Sequence, residues 1–522
     1  MQDKKWLLVL LLALLSVGAN FWGFPIYILD EAKNASCAME MMQRGDWVVP
    51  TFNGLLRTDK PPLHYFFMMA SYEIFGVSPF SARLFSVVMG LLTIWVVYFF
   101  TKRMVGAGPA FFASLILVCS LYFSIQFHLA VPDPYLIFFL TASGLCFLYG
   151  HQTNQAIYFY LSYASLALAF MAKGPVAVVV NGIIFLLFLL LQGRFSWREL
   201  NRIKIVHGVV VFLVIVLPWW ISIGIATDGE WIAGFLWGHN VARFISPLEG
   251  HAIIPGQTLL YFFVALLPLS IFLPGAASKA WTGRKTNMLA FFCLVGATAI
   301  VAFFTFSQTL LPTYIGPAVP WGAILLGIFI DRKVGSPSFD GRLWKFASVV
   351  VLLLTATIPF AIYWVIGKDR WISDLAYMGW WFALLPAGAL AAVYFIFNAK
   401  WKGALLSYLV SWWLLGIALF YGAVPQIFAR NPVSSSVALI NQSGREVLAY
   451  SLFNPAYIFS FQRPLIIWYK PADILSYSAG KSVIVVTRLE YKAELEAVGF
   501  KVIYEKPFLF ENATALVMIN EP

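Results

Sequence analysis

The stretch LFSVVMGLLTIWVVYFFTKR, residues 84–103, sets the architecture of the chain, because it joins a long apolar run to a basic turn. A helix of about 20 mostly apolar residues crosses a hydrocarbon core about 30 Å thick. Lipid offers the peptide backbone no hydrogen-bond partners, so an apolar run inside a membrane must be helical. The stretch therefore predicts a membrane-spanning helix that is followed by Lys102 and Arg103 at the membrane surface.

The same pattern recurs along all 522 residues, of which 61% are hydrophobic and 11% are charged. With a mean hydropathy of +0.80, this composition excludes a soluble enzyme. The first apolar run lacks a small-residue cleavage site, so we interpret it as an uncleaved span. We expect a polytopic α-helical membrane protein with thirteen spans, near residues 5–22, 80–101, 106–125, 134–150, 156–171, 175–192, 206–225, 257–277, 287–305, 314–330, 346–366, 377–398 and 403–423.

The distribution of basic residues orients these spans. Cytoplasmic loops are enriched in Lys and Arg, and with a cytoplasmic N-terminus most turns on that side carry them. The net charge of +11 follows from this bias, so we do not expect nucleic acid as a partner. An odd number of spans then places the C-terminus outside.

The end of the chain changes composition and predicts a second domain. Runs such as REVLAYSLF (445–453) and SVIVVT (482–487) are typical of short strands, and RLEYKAELEAVGF (488–500) is typical of a helix that closes on a glycine. We predict a transmembrane domain over residues 1–424, with a long first outer loop at 23–79. A small extracytoplasmic α/β domain is predicted over residues 425–522.

The polar side chains avoid the centres of the spans, where transporters usually carry ionisable groups. They cluster instead at the outer ends and loops, which favours an enzyme acting on a lipid-borne head group. Pro61 and Pro62 also predict a helix that begins after Lys60. The clustered residues are Asp30, Glu31, Asp59, Lys60, His64, Asp133, Lys173, His239 and Arg243.

Several of these side chains also have a purely structural interpretation. Asp30 and Asp133 are good caps for helices that begin near them. Lys60 lies beside aromatic residues and is suited to extend its charge to the interface, and a single Lys173 is easily tolerated at a helix end. Tyr314 fits an interfacial aromatic belt.

The first loop resembles that of bacterial membrane glycosyltransferases, the ArnT-like and protein O-mannosyltransferase-like enzymes of the GT-C superfamily. The resemblance rests on LDEAKNASCAMEMMQRGDW (29–47) and RTDKPP (57–62), followed by FG and AR before the second span. Further similar motifs follow in order along the chain: VPDP (131–134), MAKGP (171–175), HNVARF (239–244) and LPTYIGP (311–317).

The resemblance implies a role for individual residues of this sequence. The implied catalytic residues are Asp30, which matches the catalytic acid of the family, Glu31, which completes its acidic pair, and Asp133, which matches a second outer acid. The implied ligands of the carrier phosphate are Lys60, Arg243, Tyr314 and Lys173. Asp59 and His239 match positions that bind a metal in an aminoarabinose transferase, so a divalent metal is implied as a cofactor, and no other cofactor is expected.

The implied activity suits these residue types. Such enzymes move a sugar, with inversion, from a polyprenyl phosphate to a lipid such as lipid A, a glycan or a protein. Breaking the sugar–phosphate bond leaves a phosphate monoester dianion, which fixed cations stabilise. A carboxylate can accept the proton of an acceptor hydroxyl. The implied location is the bacterial inner membrane, with membrane lipids as further partners.

Two positions depart from the aminoarabinose transferases. Those enzymes usually have KGKLPTY where this chain has SQTLLPTY, so Leu310 replaces a lysine, and Gly238 replaces an acid before His239. The sugar and the acceptor therefore stay open. A transporter of lipid or glycan, a membrane glycan ligase or polymerase, and a non-catalytic scaffold are the competing hypotheses.

Overall fold

The structure is a computed structural model that describes residues 2–241, 256–307, 310–334, 341–369 and 371–520. Helices dominate it up to residue 443. The helices of the first half are α1 (Gln2–Ser16), α2 (Leu29–Arg44), α3 (Leu63–Phe75), α4 (Pro79–Val105), α5 (Ala107–Cys119), α6 (Leu121–Phe127), α7 (Asp133–Thr153), α8 (Ala156–Lys173), α9 (Pro175–Leu191), α10 (Trp197–Arg202), α11 (Ile205–Ala226) and α12 (Glu230–Ala233).

The second half continues with helices and ends in a sheet. A π-helical segment, Gly234–Val241, directly follows α12. The later helices are α13 (Gln257–Ala265), α14 (Leu273–Thr282), α15 (Met288–Thr305), α16 (Val319–Val334), α17 (Gly341–Lys368), α18 (Leu384–Phe397), α19 (Trp401–Ala418), α20 (Val424–Phe428) and α21 (Pro432–Ser443). Short 3₁₀ segments precede α14, α16 and α18, at Ser270–Phe272, Pro312–Ala318 and Ser373–Ala383.

The helices confirm a membrane protein with many spans. Within the described ranges, nine helices are long and apolar enough to cross a membrane, and eleven if each of two bent pairs is one span. The bent pairs are α5 with α6, at 68°, and α13 with the segment Ser270–Thr282, at 118°. Helices α1 and α9 fall on predicted spans but have only 15 and 17 residues. The number thirteen therefore stays a prediction.

The first outer loop is folded, and its turns follow from its sequence. Helix α2 ends at Gly45, which has a φ of 64° that favours glycine. A two-stranded hairpin, β1 (Thr51–Phe52) and β2 (Leu55–Leu56), follows and turns at Asn53 and Gly54, both with positive φ. Helix α3 begins directly after Pro61 and Pro62, as the two prolines predict.

The last part of the chain forms a mixed sheet of five strands in the order β4-β3-β5-β7-β6. Strands β3, β4 and β5 are parallel to one another, and β7 is antiparallel to both of its neighbours, β5 and β6. The strands are β3 (Glu446–Tyr450), β4 (Ile467–Trp468), β5 (Val483–Arg488), β6 (Phe500–Pro507) and β7 (Thr514–Asn520), with short helices α22 (Ala456–Phe461), α23 (Pro471–Tyr477) and α24 (Lys492–Glu496).

This sheet region docks on the first outer loop. Buried apolar side chains from α2, α3 and the sheet form one cluster. The amide of Asn53, in the hairpin turn, donates to the carbonyl of Leu465 (2.9 Å) and accepts from its N–H (2.7 Å). The hydroxyl of Tyr27 makes the same two-way contact with the backbone of Leu509. The loop is therefore held between the helical bundle and the C-terminal sheet.

Candidate active site

A buried arginine joins two of the predicted acids at the base of the outer loop. The Nη2 atom of Arg57 lies 3.2 Å from Oδ2 of Asp59 and 3.9 Å from Oδ1 of Asp30. The Arg57 side chain is only 4% exposed, whereas Asp30 is 54% exposed. Asp30 thus presents a carboxylate to the solvent or to a ligand beside a fixed positive charge.

Three elements hold Arg57 in place. Its Nε donates to the hydroxyl of Tyr65 on α3 (3.1 Å), and its Nη2 donates to the side-chain carbonyl of Asn34 on α2 (3.1 Å). Its own carbonyl accepts from the indole of Trp231 on α12 (2.9 Å). These contacts satisfy a charge that would otherwise be costly to bury. Arg57 therefore fixes the loop against α2, α3 and α12.

Asp30 does not cap α2. The N-cap position is Ile28, and no side chain makes a capping hydrogen bond there. The structural interpretation of Asp30 as a cap is therefore wrong, and the carboxylate lies in the first turn of the helix. A negative charge in that turn interacts favourably with the positive end of the helix dipole.

Asp59 and His239 form the second contact of this group. The Nε2 atom of His239 lies 2.8 Å from Oδ1 of Asp59. Burial raises the pKa of Asp59, but the hydrogen bond from His239 and the charges of Arg57, His239 and Lys60 outweigh it and hold the pKa well below its usual range. Asp59 is therefore ionised, with one oxygen paired to His239 and the other to Arg57.

The predicted metal site is not confirmed by this geometry. Asp59 and His239 are adjacent, as a shared metal requires, but within the described part of the chain no three His, Cys, Asp or Glu side chains are grouped to hold an ion. Protein metal sites usually offer three or more such ligands. The two side chains instead pair with each other, and Arg57 neutralises the remaining oxygen of Asp59.

Asp133, Lys173 and Tyr314 form a second group. The Nζ atom of Lys173 lies 2.6 Å from Oδ1 of Asp133 and 5.1 Å from the centre of the Tyr314 ring. Asp133 is the first residue of α7, and no side chain caps that helix, so pairing with Lys173 replaces the predicted cap. The charge of Asp30 also interacts with that of Lys173, which links the two groups.

The π-helical segment Gly234–Val241 packs against both groups. A Cβ atom at Gly234 would collide with Thr58, and one at Gly174 would collide with Phe235. Gly174 also has a φ of 82°, which lets the chain reverse directly after Lys173. The two glycines therefore allow one segment to approach both the loop that carries Asp59 and the turn that carries Lys173.

Replacing Lys173 with Met is expected to destabilise the protein by about 3 kcal/mol, the lower end of the range for removing one partner of a buried ion pair, because Asp133 would stay largely buried without its partner. Thermal unfolding in detergent measures the effect. The double variant Lys173→Met/Asp133→Asn is expected to regain most of the loss, since no unpaired charge remains. A single variant as stable as the wild type would show that the pair adds nothing.

Glu31 lies elsewhere, and the predicted catalytic role does not fit its position. Its side chain is fully buried, and Arg83 donates to both of its oxygens, at 2.7 and 2.8 Å. Arg83 also donates to three backbone carbonyl oxygens between residues 21 and 25. The backbone N–H of Ala130 donates to Glu31 as well (2.9 Å). With its oxygens occupied and no exposed surface, Glu31 joins the outer loop to α4 instead of contacting a substrate.

The remaining predicted residues fall into three cases. Lys60 is partly buried, and its charge acts on Asp59 and on His64. His64 is fully buried, and burial together with the charges of Arg57 and Lys60 lowers its pKa well below the usual value, so it is neutral. Arg243, a predicted phosphate ligand, lies outside the described residues.

The sequence reasoning missed Arg57 and Asn34. Both lie inside motifs quoted for the resemblance, but their roles depend on contacts between residues 23 positions apart. An arginine two residues before an acid and three before a lysine was a signal, because a charged residue in such an apolar chain needs a partner.

Comparisons with known proteins show what the chain is similar to. Residues 59–221 match the model of the dolichyl-phosphate-mannose-protein mannosyltransferase family. An undecaprenyl phosphate-alpha-4-amino-4-deoxy-L-arabinose arabinosyl transferase of Edwardsiella ictaluri is 29% identical over 62% of this chain and 58% of its own length. The transferase of the same name from Photorhabdus laumondii is 27% identical over 71% of this chain and 68% of its own length.

Solved structures share the fold over nearly the whole chain. ArnT from Cupriavidus metallidurans bound to undecaprenyl phosphate superposes with a TM-score of 0.83, at 21% identity, over 99% of this chain and 98% of its own. An Archaeoglobus fulgidus oligosaccharyltransferase superposes with a TM-score of 0.54, at 11% identity, over 98% of this chain and 74% of its own. The chain therefore shares its fold with ArnT and, more distantly, with the oligosaccharyltransferase. The similarity to ArnT and to the arabinosyl transferases agrees with the resemblance read from the sequence.

Proposed function

We propose that the protein is an inverting glycosyltransferase that moves a sugar from undecaprenyl phosphate, or a similar polyprenyl phosphate, to an acceptor at the outer face of the bacterial inner membrane. One observation carries the proposal: the exposed carboxylate of Asp30 lies beside the buried cation Arg57 and interacts with the charge of Lys173. The names of the arabinosyl transferase relatives and the undecaprenyl phosphate bound to the ArnT structure support the choice of carrier.

The proposed reaction is a single displacement. An acceptor oxygen attacks the anomeric carbon of the sugar, and the bond from that carbon to the phosphate oxygen breaks. Asp30 takes the proton of an acceptor hydroxyl, and the carrier leaves as a phosphate monoester dianion. Lys60, Lys173 and Arg243 supply positive charge for this dianion, and Tyr314 supplies a hydrogen-bond donor. Where the acceptor is itself a phosphate, Asp30 orients it instead.

The acceptor and the sugar are narrower proposals. The names of the relatives favour an amino sugar. The resemblance of the motifs to those of aminoarabinose transferases favours a lipid acceptor such as lipid A. Leu310 and Gly238, which replace charged residues of those enzymes, favour a donor with fewer polar contacts. Glycans and proteins are the other acceptor classes to test.

The arrangement in the membrane is part of the same proposal. We place the N-terminus in the cytoplasm and the site at the periplasmic ends of α4 and α7. Residues 1–424 then form the membrane domain, and residues 425–522 form a periplasmic domain that covers the first outer loop. The two-way hydrogen bonds of Asn53 and Tyr27 support a rigid cover rather than a mobile one.

The experiment that tests the function uses the purified full-length protein. A panel of undecaprenyl phosphate sugars is supplied in detergent, and release of undecaprenyl phosphate is measured with and without lipid A, glycan and peptide acceptors. We expect one donor to be consumed in an acceptor-dependent way. Binding of the donors with no consumption of any of them would favour a transporter and would contradict the proposal.

Replacing Lys60 with Ala is expected to raise the KM for the donor by about 10- to 100-fold, because a charge-assisted contact with phosphate contributes about 1.5–3 kcal/mol. Stability should change little, since the side chain is partly exposed. Lys470→Ala removes an exposed charge from the C-terminal region and is the matched control. Unchanged kinetics in Lys60→Ala would remove Lys60 from the site.

A further inference from the structure

A second polar cavity lies at the opposite end of the helical bundle from the candidate active site. It has a volume of about 500 Å³ and is lined by His151 and three arginines, Arg194, Arg202 and Arg332. His151 is in the last turn of α7, whereas Asp133 begins that helix. At 1.5 Å per residue the two positions are about 27 Å apart. The cavity is therefore separate from the site proposed for sugar transfer.

The cavity is organised by hydrogen bonds that leave cationic groups available. Arg202 is held by Asn154 (2.9 Å), by Glu199 (3.3 Å) and by the carbonyl of His151 (2.8 Å). Glu199 also lies 2.9 Å from Nε2 of His151, so its carboxylate is already paired with residues of the cavity wall. The side chains of Arg194 and Arg332, by contrast, form no hydrogen bond or ion pair with any residue that the structure describes, and both are exposed.

A hydrogen-bond donor without a partner, Nδ2 of Asn287, lies in the wall of the same cavity. Asn287 lines the cavity and is 6% exposed. Its Oδ1 caps α15 by accepting from the N–H of Ala290 (3.0 Å), but its Nδ2 has no partner among the described residues. A buried donor without a partner is costly, so the site is completed by an acceptor that enters from outside. The N-terminus of α15 adds positive charge there.

A smaller cavity of about 200 Å³ adjoins the first and shares Asn287 and Arg332 with it. Its wall is apolar, with Leu325, Ile328 and Phe329, and Lys279 lies at its rim. A basic polar cavity joined to an apolar one matches an amphiphile with an anionic head. Basic pockets between helix ends on the cytoplasmic side suit anionic lipid head groups.

We propose that these two cavities bind an anionic phospholipid at the cytoplasmic end of the bundle. Arg194, Arg332 and Nδ2 of Asn287 bind the phosphate group, and one acyl chain enters the apolar cavity. The bound lipid contacts α7, α15 and α16 together, at turns whose positive charges would otherwise repel one another. This site is independent of the proposed sugar transfer.

Native mass spectrometry of the full-length protein tests the proposal. The probes are dioctanoyl phosphatidylglycerol, dioctanoyl phosphatidylcholine, glycerol 3-phosphate and inorganic phosphate. We expect phosphatidylglycerol to bind most tightly. The double variant Arg194→Gln/Arg332→Gln is expected to weaken its binding about 25-fold, because each lost charge weakens binding about fivefold. Arg198→Gln/Lys285→Gln removes two exposed charges from the neighbouring turns and is expected to retain wild-type binding.

Three results would overturn the proposal. Equal weakening by the two double variants would show a diffuse charge effect rather than a site. Equal binding of phosphatidylcholine would show that the anionic head is not recognised. Binding of glycerol 3-phosphate or inorganic phosphate as tight as that of the lipid would identify a site for a soluble anion and remove the acyl chain from the assignment.

Discussion

The variant Asp30→Asn is expected to lower sugar transfer by about 100- to 10,000-fold, the range that a positioned general base contributes. The amide has the size of the carboxylate but cannot take a proton from an acceptor hydroxyl. Because Asp30 is 54% exposed and lies 3.9 Å from Arg57, the substitution should leave the fold intact. Initial rates at saturating donor measure the loss, and binding of undecaprenyl phosphate should stay near the wild-type value.

Asp228→Asn is the matched control for this experiment. Asp228 is an exposed acid between α11 and α12, and its φ of 47° is well tolerated by asparagine. Wild-type transfer is expected in the control. Wild-type transfer in Asp30→Asn as well would remove this residue from the chemistry, and loss of carrier binding would show that Asp30 acts in recognition of the carrier.

The variant Arg83→Met is expected to cost about 3–5 kcal/mol of stability, the range for breaking a buried ion pair on one side. Glu31 would be left charged and fully buried, and three carbonyl oxygens near residues 21–25 would lose their donor. Thermal unfolding in detergent and resistance to proteolysis measure the effect. We expect little folded protein at physiological temperature.

Two further variants distinguish the effect of the buried ion pair on stability from the effect of losing any arginine. Arg103→Met makes the same change at an exposed position at the other end of α4 and should cost little. The double variant Arg83→Met/Glu31→Gln should be more stable than Arg83→Met alone, because the buried charge is gone. Equal stability of Arg83→Met and Arg103→Met would show that the buried pair is unimportant.

The local chemistry of the sequence predicted much of the fold. Apolar runs located the membrane helices, and Pro61 with Pro62 located the start of α3. The bends were not predictable in this way. Helix α5 ends at Ser120, whose hydroxyl accepts from the N–H of Phe123 and donates to the carbonyl of Ala265, far along the chain. A contact of that range bends the span, and an apolar run carries no sign of it.

The site was predictable in part. The motifs named Asp59 and His239 as neighbours, and the structure brings them to 2.8 Å. They also named Asp30 and Glu31 as an acidic pair, but successive residues on a helix point about 100° apart. One carboxylate therefore faces outward, and the other is buried against Arg83.

The sequence by itself determined that the chain is a membrane protein, that its polar residues lie at the helix ends, and that its motifs resemble those of GT-C enzymes. Hydrophobicity and charge act residue by residue, so they are visible in one dimension. The tertiary structure alone decided which charges are partners: Arg57 with Asp30 and Asp59, and Lys173 with Asp133. Ion pairs depend on distances of a few ångströms between distant parts of the chain, and only packing sets those distances.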